Sequence, residues 1–507
     1  MSNEAPPATG VPATTSSARL SRGTIARYAT GSLGTGGFAT LPGLVLTYYL
    51  TDSLGVAALA AGAVITVAKV WDVVIDPVIG ALTDRDLARH GSRRRLMLIG
   101  ALALPVLFAL TFAVPPSLGP LVAGIWVLLA FTLTATAFSL FQVPYIALPA
   151  ELTPRYDERT RLLTWRVVVL TLAILLFGAG GPALRRVSED PFVQYLVMGV
   201  VCGVVIGIGM LVATGVAKRA AGPTRPEAPD AAPQPIRESA PGRREVGNEQ
   251  ASRRPAALSP EGGATDAPAA GIRAHFAEGI GALRRSRAFR MLLSTFVLQA
   301  LATGLMLAGA QYVATWVLHS QAAVELLFVA LIAPALLAAP AWGVVARRIG
   351  KERTFTIASV VFAIAAVSIL GMLWAPGDWI YVPVGIAGIA YAGMQSLPMA
   401  MLPDVISHDE RTHGPGRAGS FSGVWTAGET VGFALGATTL AVILAVTGYV
   451  SSTGTQVVEQ PDAAITGIVV SFSLAPAVLI ALSLLTLARY PLRRADIDHH
   501  DTESQPA

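Results

Sequence analysis

Twelve runs of apolar residues, each 20 residues or longer, alternate with short polar loops along this chain. They cover approximately 28–52, 59–83, 96–115, 120–148, 165–184, 192–216, 291–318, 323–345, 354–375, 379–403, 419–448 and 464–488. A helix needs about 20 apolar residues to cross roughly 30 Å of hydrocarbon, so each run predicts a membrane-spanning helix. The runs form two groups of six. Between them, 222–270 is dense in Pro, Ala, Glu and Arg, a composition that does not fold by itself. Further on, Ile272, Phe276, Ile280 and Leu283 alternate at helical spacing with Arg273, Arg284, Arg285 and Arg287. That pattern predicts an amphipathic helix lying on the membrane surface. The expected organisation is a disordered tail over 1–27, a six-helix bundle over 28–216, a linker over 217–290, a second bundle over 291–488 and a tail over 489–507.

Composition narrows the class. The chain is 53% hydrophobic and 14% charged, where a soluble domain carries about 25% charge. Position matters more than the total charge. If both termini are cytoplasmic, only Arg185 and Arg186 of the 37 basic residues lie outside, and Lys69 and Arg166 fall within spans. The other 33 are cytoplasmic. This positive-inside asymmetry predicts a multi-pass plasma-membrane protein with both ends in the cytoplasm. A single cysteine, Cys202, excludes a disulfide framework. No phosphate-binding Gly-x-x-x-x-Gly-Lys-Ser/Thr stretch is present, which argues against ATP-driven transport. No nucleophile constellation or metal-ligand spacing of histidines occurs, so neither an enzyme nor a bound cofactor is expected.

One span breaks its own pattern. The second run contains Lys69, Asp72 and Asp76, followed by Pro77. A charge at the bilayer centre costs about 2.5–3.5 kcal/mol on insertion scales and usually marks a solute or ion path. On a helix, Asp72 and Asp76 share a face, with Lys69 one turn before. Two ionised carboxylates on one face repel, so one tends to hold a proton unless a cation intervenes. Proton or sodium coupling needs that property. Glu429, deep in the eleventh run, is a second ionisable candidate, either a protonation site or a partner for a cationic solute. Trp425 lies one turn before it.

The two halves also repeat each other. After the second span come Gly80, Asp84, Arg85, Gly91 and Arg93 to Arg95; after the eighth come Gly343, Arg347, Arg348, Gly350, Lys351 and Arg353. The fourth span ends with Gln142, Pro144, Pro149 and Glu151, then Asp157-Glu-Arg-Thr160. The tenth ends with Gln395, Pro398, Pro403 and Asp404, then Asp409-Glu-Arg-Thr412. Parallel six-helix repeats of this kind resemble the major facilitator superfamily. Within it, the chain resembles the glycoside–pentoside–hexuronide:cation symporter family. The stretches that carry this are Tyr28 to Gly34 leading to Tyr48 to Asp52, Lys69 to Gly80, and Leu402 to Ile406 followed by Gly419 to Gly423.

The resemblance implies an all-α fold of twelve transmembrane helices in two pseudo-symmetric six-helix bundles. It also implies residue roles. Asp72 and Asp76 fall on the family's cation-binding carboxylates, Lys69 on their basic neighbour, and Arg166 on an arginine that shapes the sugar site. Asp404 and Arg417 fall on charges that lock the halves at the cytoplasmic face when the protein opens outward, in an inside gate with Arg85, Arg93 to Arg95 and Asp157 to Arg159. Four departures stand out. The family's sugar-anchoring acid is Gly36 here, its third cation-site acid is Gln142, and its neighbouring tryptophan is Ile146. Its helix-eleven lysine is Thr430. Gly36 therefore suggests a smaller, more apolar helix-one wall, and Tyr145 a residue on the solute wall. Trp71 and Trp165 read as packing or interface residues, while Gln311 and Gln395 are weaker solute candidates.

The expected function is alternating-access symport of a glycoside or other small organic solute, coupled to H⁺ or Na⁺. Alternatives are proton-coupled export of an amphipathic metabolite, lysolipid transport, or a non-transporting sensor or scaffold. The expected partners are a small-molecule solute and the lipid bilayer, with no nucleic acid, and the chain is expected to act as a monomer.

Overall fold

The structure is a computed structural model that describes residues 19–153, 156–217, 281, 283–413, 418–453 and 458–492. Helix follows helix. α1 (Arg22–Thr30) and α2 (Ser32–Tyr48) meet at Gly31 and run into a π-helical turn, Tyr49–Ser53. Then come α3 (Ala58–His90), α4 (Arg94–Thr111), α5 (Pro120–Leu152), α6 (Tyr156–Ala183), a 3₁₀ turn at Leu184–Val187, and α7 (Pro191–Thr214). The second half holds α8 (Arg287–Tyr312) with a π-helical turn at Val313–Val317, α9 (Ala323–Ile349) and α10 (Lys351–Ser368). It ends with α11 (Tyr381–His413), α12 (Ala418–Val446), α13 (Asp462–Phe472) and α14 (Leu474–Leu487).

Among the described residues, eleven helical stretches are long and apolar enough to cross a membrane. α1, α2 and the turn after them supply the twelfth span. Several helices outrun their apolar cores. α3 continues through Pro77 to His90, and α11 continues to His413. Apolar counting marks the hydrocarbon, whereas backbone bonding carries a helix on into the polar ends. Most of the expected surface helix and of the linker, residues 1–18 and 493–507, and Arg417 lie outside the described residues, whereas the end of the expected disordered tail, 1–27, is helical in α1.

The repeat seen in the sequence extends to the backbone. α2 and α8 both finish in a five-residue π-helical turn. α3 and α9 both stop at a glycine with positive φ, Gly91 at 67° and Gly350 at 95°. Each glycine N–H donates back into its helix, to Leu87 O and Ala346 O. A side chain at either position would strain that turn.

Within the first half, α2 packs on α6, α3 on α5, and α4 on both α5 and α7. Within the second, α8 packs on α12 and α14, α9 on α11, and α10 on α11 and α14. The most extensive pairings between the halves are α3 with α12, α6 with α9, and α2 with α8. Lipid offers no hydrophobic drive between helices, so small residues that let backbones approach carry such contacts. At Gly62 a Cβ would stand 2.5 Å from the Cβ of Ala441.

An even number of spans puts both chain ends at one end of the molecule, the termini end. The far end is fastened across the halves. Asp52 accepts from Thr51 Oγ1 at 2.5 Å and from the Tyr449 hydroxyl at 2.5 Å. Thr51 also shares a 2.7 Å hydrogen bond with Tyr312, and Trp316 Nε1 donates to Tyr449 at 2.8 Å. Ser452 N–H donates to Thr51 O at 2.9 Å. The buried Arg185 donates to Gln311 at 2.5 Å and to the Tyr195 hydroxyl at 2.9 Å, and Arg186 pairs with Glu325.

Candidate cation and solute site

The charged strip of α3 faces α2 and α5. Lys69 Nζ donates to Asp72 Oδ2 at 3.0 Å. The ammonium also lies over two rings, Phe38 of α2 at 5.4 Å and Phe131 of α5 at 5.9 Å. Aromatic faces attract a cation, so the rings hold Lys69 in place as well as Asp72 does. One helical turn on, Asp76 has the Ser139 side chain of α5 against it. Oδ1 of Asp72 and Oδ1 of Asp76 are both buried without a hydrogen-bond partner. An unsatisfied buried acceptor costs roughly 1–3 kcal/mol, more for a charged group. Two such oxygens on one helix face form a place that a proton or small cation would stabilise.

Beside this pair, Thr35 Oγ1 donates to Gln142 Oε1 at 2.8 Å, tying α2 to α5. Tyr145 is fully buried rather than exposed on a cavity wall. Its hydroxyl donates to Tyr28 O at 2.9 Å and bonds Ser32 at 3.1 Å, and its ring stacks on Tyr28 at 4.6 Å. The Arg166 guanidinium rests on that ring at 5.5 Å. Tyr145 is thus the support on which Arg166 is positioned. Arg166 Nε is buried and unpartnered.

Gly36 corrects a second expectation. A Cβ there would meet Ala173 Cβ at 2.7 Å and Leu170 O at 3.1 Å. The glycine opens no extra room for solute, because α6 has moved into the space. Ile146, by contrast, is 53% exposed.

In the second half, Trp425 is 2% exposed and stacks on Phe296 at 4.3 Å, and its indole N–H has no partner. Glu429 and Thr430 are half-buried on the next turn. Tyr391 of α11 is an electrostatic neighbour of Glu429, and its hydroxyl accepts from Gln395 at 2.6 Å. Gln311 is committed to Arg185 at the far end rather than to this layer. Trp71 Nε1 donates to Thr136 at 2.9 Å, a packing role, and Trp165 is exposed.

At the termini end, Arg85 is exposed, Arg93 bonds Asp84 at 2.8 Å and Glu151 at 2.5 Å, and Asp404 bonds Lys351 of its own half at 2.6 Å. Sequence patterning missed Phe38, Phe131 and Ser139, which come from other helices. It also missed the far-end fastening of Asp52, Tyr449, Tyr312 and Arg185, although Thr51-Asp52 stood within a quoted stretch.

A family model described as "MFS/sugar transport protein" matches residues 27–253 and 263–494. The chain belongs to this family. It is therefore a multi-pass membrane transporter rather than an enzyme, with a small-molecule solute as its ligand and the bilayer as its surroundings. An uncharacterised symporter of Synechocystis sp. is 25% identical over 92% of this chain and 94% of its own length. YagG of Escherichia coli, a candidate glycoside/cation symporter, is 33% identical over 28% of this chain and 31% of its own. A sodium-dependent lysophosphatidylcholine symporter of Danio rerio is 30% identical over 26% of this chain and 24% of its own. Among solved structures, a D-xylose–proton symporter superposes with a TM-score of 0.60 at 13% identity, covering 92% of this chain and 98% of that one. A structure of a proton-dependent oligopeptide transporter gives 0.61 at 14% identity, with the same coverage. These likenesses establish the major facilitator fold.

Proposed function

We propose that this transporter is a symporter that couples inward movement of H⁺ or Na⁺ to a glycoside or related small organic solute. The observation that carries the reading is the pair of buried, unpartnered carboxylate oxygens on Asp72 and Asp76, with only Lys69 ion-paired beside them. The names of relatives such as YagG fit it. In this reading a cation at Asp72 and Asp76 relieves their mutual repulsion and favours the solute-competent state. The halves then rock about the midplane site. Gln142 borders the cation site, and Arg166 faces the solute. With both termini in the plasma-membrane cytoplasm, the far-end fastening is the closed outer gate. Arg93 and Lys351 hold their acids within single halves while the inner side is released.

Each charge moved inward gains about 2.3 kcal/mol per 100 mV, which supports about 50-fold solute accumulation. In proteoliposomes with an imposed potential and H⁺ or Na⁺ gradient, Asp76→Asn should abolish accumulation of labelled glycosides while exchange counterflow persists. Accumulation by the variant equal to that of the wild type would sink the reading.

A further inference from the structure

Glu429 is a carboxylate at membrane depth to which the cation site assigns nothing. Its depth follows from a fixed point. The hydroxyls of Thr66 on α3 and Thr438 on α12 are hydrogen-bonded at 2.5 Å, which pins the two helices together. Helices rise about 1.5 Å per residue. α3 runs toward the termini end, so Asp76 lies about 15 Å below that point. α12 runs the other way, so Glu429, nine residues before Thr438, lies about 13.5 Å below it. The two carboxylates therefore stand at one level, one in each half.

The face of α12 is also determined. Val431, Leu435 and Val442 are exposed and mark one side of it. Gly428 and Gly432 pack against Leu293 and Ala300 of α8, and Ala441 meets Gly62 of α3. At about 100° per residue, Glu429 falls on the edge of the α8-facing side of α12, opposite Val431, Leu435 and Val442.

Among the described residues no hydrogen bond or ion pair engages Glu429. The carboxylates within the first half's spans at or above this level each have a partner: Lys69 for Asp72, Ser139 for Asp76, and Thr51 with Tyr449 for Asp52. One turn from Glu429, the buried Trp425 N–H is likewise unmatched. The surroundings are aromatic, with Tyr391 and the Trp425–Phe296 stack. A carboxylate with no cation of its own, beside aromatic rings and an unused donor, suits an ammonium group carried in by the solute.

We infer that the transported solute bears a protonated amine, which Glu429 receives with Tyr391 beside it, while the free Trp425 N–H takes a neighbouring oxygen. Arg166, with its unmatched Nε, meets the hydroxyl-bearing end from the opposite half. This rests on the symport reading and narrows it to amine-bearing solutes of glycoside size.

Glucose, glucosamine and glucuronate share one ring and differ in charge. In proteoliposomes of the intact protein, glucosamine should compete in counterflow at least tenfold more strongly than glucose or glucuronate. Glu429→Gln should reduce that preference to under twofold, and Glu429→Asp should restore part of it, with both variants checked for thermal unfolding. Equal or weaker competition by glucosamine overturns the inference, as does an amine preference that survives Glu429→Gln. Absence of any Asp76-dependent uptake of glucosamine overturns it too. Asp76-dependent uptake of glucose or glucuronate without an amine preference overturns only this inference and leaves the symport reading standing.

Discussion

The far end and the middle of this protein both bury charge, yet they treat it in opposite ways. At the far end, both oxygens of Asp52 have donors, Thr51 and Tyr312 bond each other, and Arg185 reaches Gln311 and Tyr195. Arg185 Nε and Thr47 Oγ1 are left over. In the middle layer, Asp72 Oδ1, Asp76 Oδ1, Arg166 Nε and Trp425 Nε1 are all buried and unmatched. Hydrocarbon cannot satisfy a polar group, so in a membrane each must be met from within the protein. A satisfied cluster that spans the halves fastens them. A cluster with matching gaps keeps places for something that arrives.

The sharpest way to break this comparison is at Lys69. Lys69→Ala leaves Asp72 buried without its ion partner and should cost about 3 kcal/mol, since breaking a buried pair is more harmful than replacing it. Thermal unfolding in detergent reads this, and Lys69→Ala with Asp72→Asn should recover most of the loss. An unchanged melting curve for the single variant would mean that water, not Lys69, satisfies the acid. Next comes the far end. Tyr449→Phe removes a donor from Asp52 and should weaken the fastening by about 2 kcal/mol, the worth of a hydrogen bond to a charged group. Spin labels at the exposed positions Val187 and Val446, placed in a Cys202→Ser background, should then report a longer-distance population absent from the parent. Failure to separate would show that the latch is packing rather than hydrogen bonding. The smallest effect is expected at Gly36. Gly36→Ala forces a Cβ toward Ala173 at 2.7 Å and should destabilise by about 1–2 kcal/mol through overpacking. A neutral or stabilising result would restore an open wall on α2.

Much of this was legible beforehand. The spans, their grouping and the matched loop glycines followed from apolar length and repetition. Lys69, Asp72 and Asp76 were legible because they share a single helix, where spacing dictates the face. Gly36 shows the limit: a glycine reads equally as an open wall or as a close helix contact, and only the neighbour decides. Arg85 and Arg93 show another. Both are basic and near Asp84, but the end of α5 brings Glu151 to Arg93.

The sequence by itself determined that this chain crosses the membrane in two related halves and carries a paired-carboxylate strip on one span, because hydrophobic length and helical period are local quantities. The tertiary structure alone decided that Phe38 and Phe131 cradle Lys69, that Tyr145 supports Arg166 rather than lining a wall, and that Glu429 stands level with Asp76 without a partner. Those facts depend on the register between helices far apart in the chain, which side-chain packing sets and no local pattern encodes.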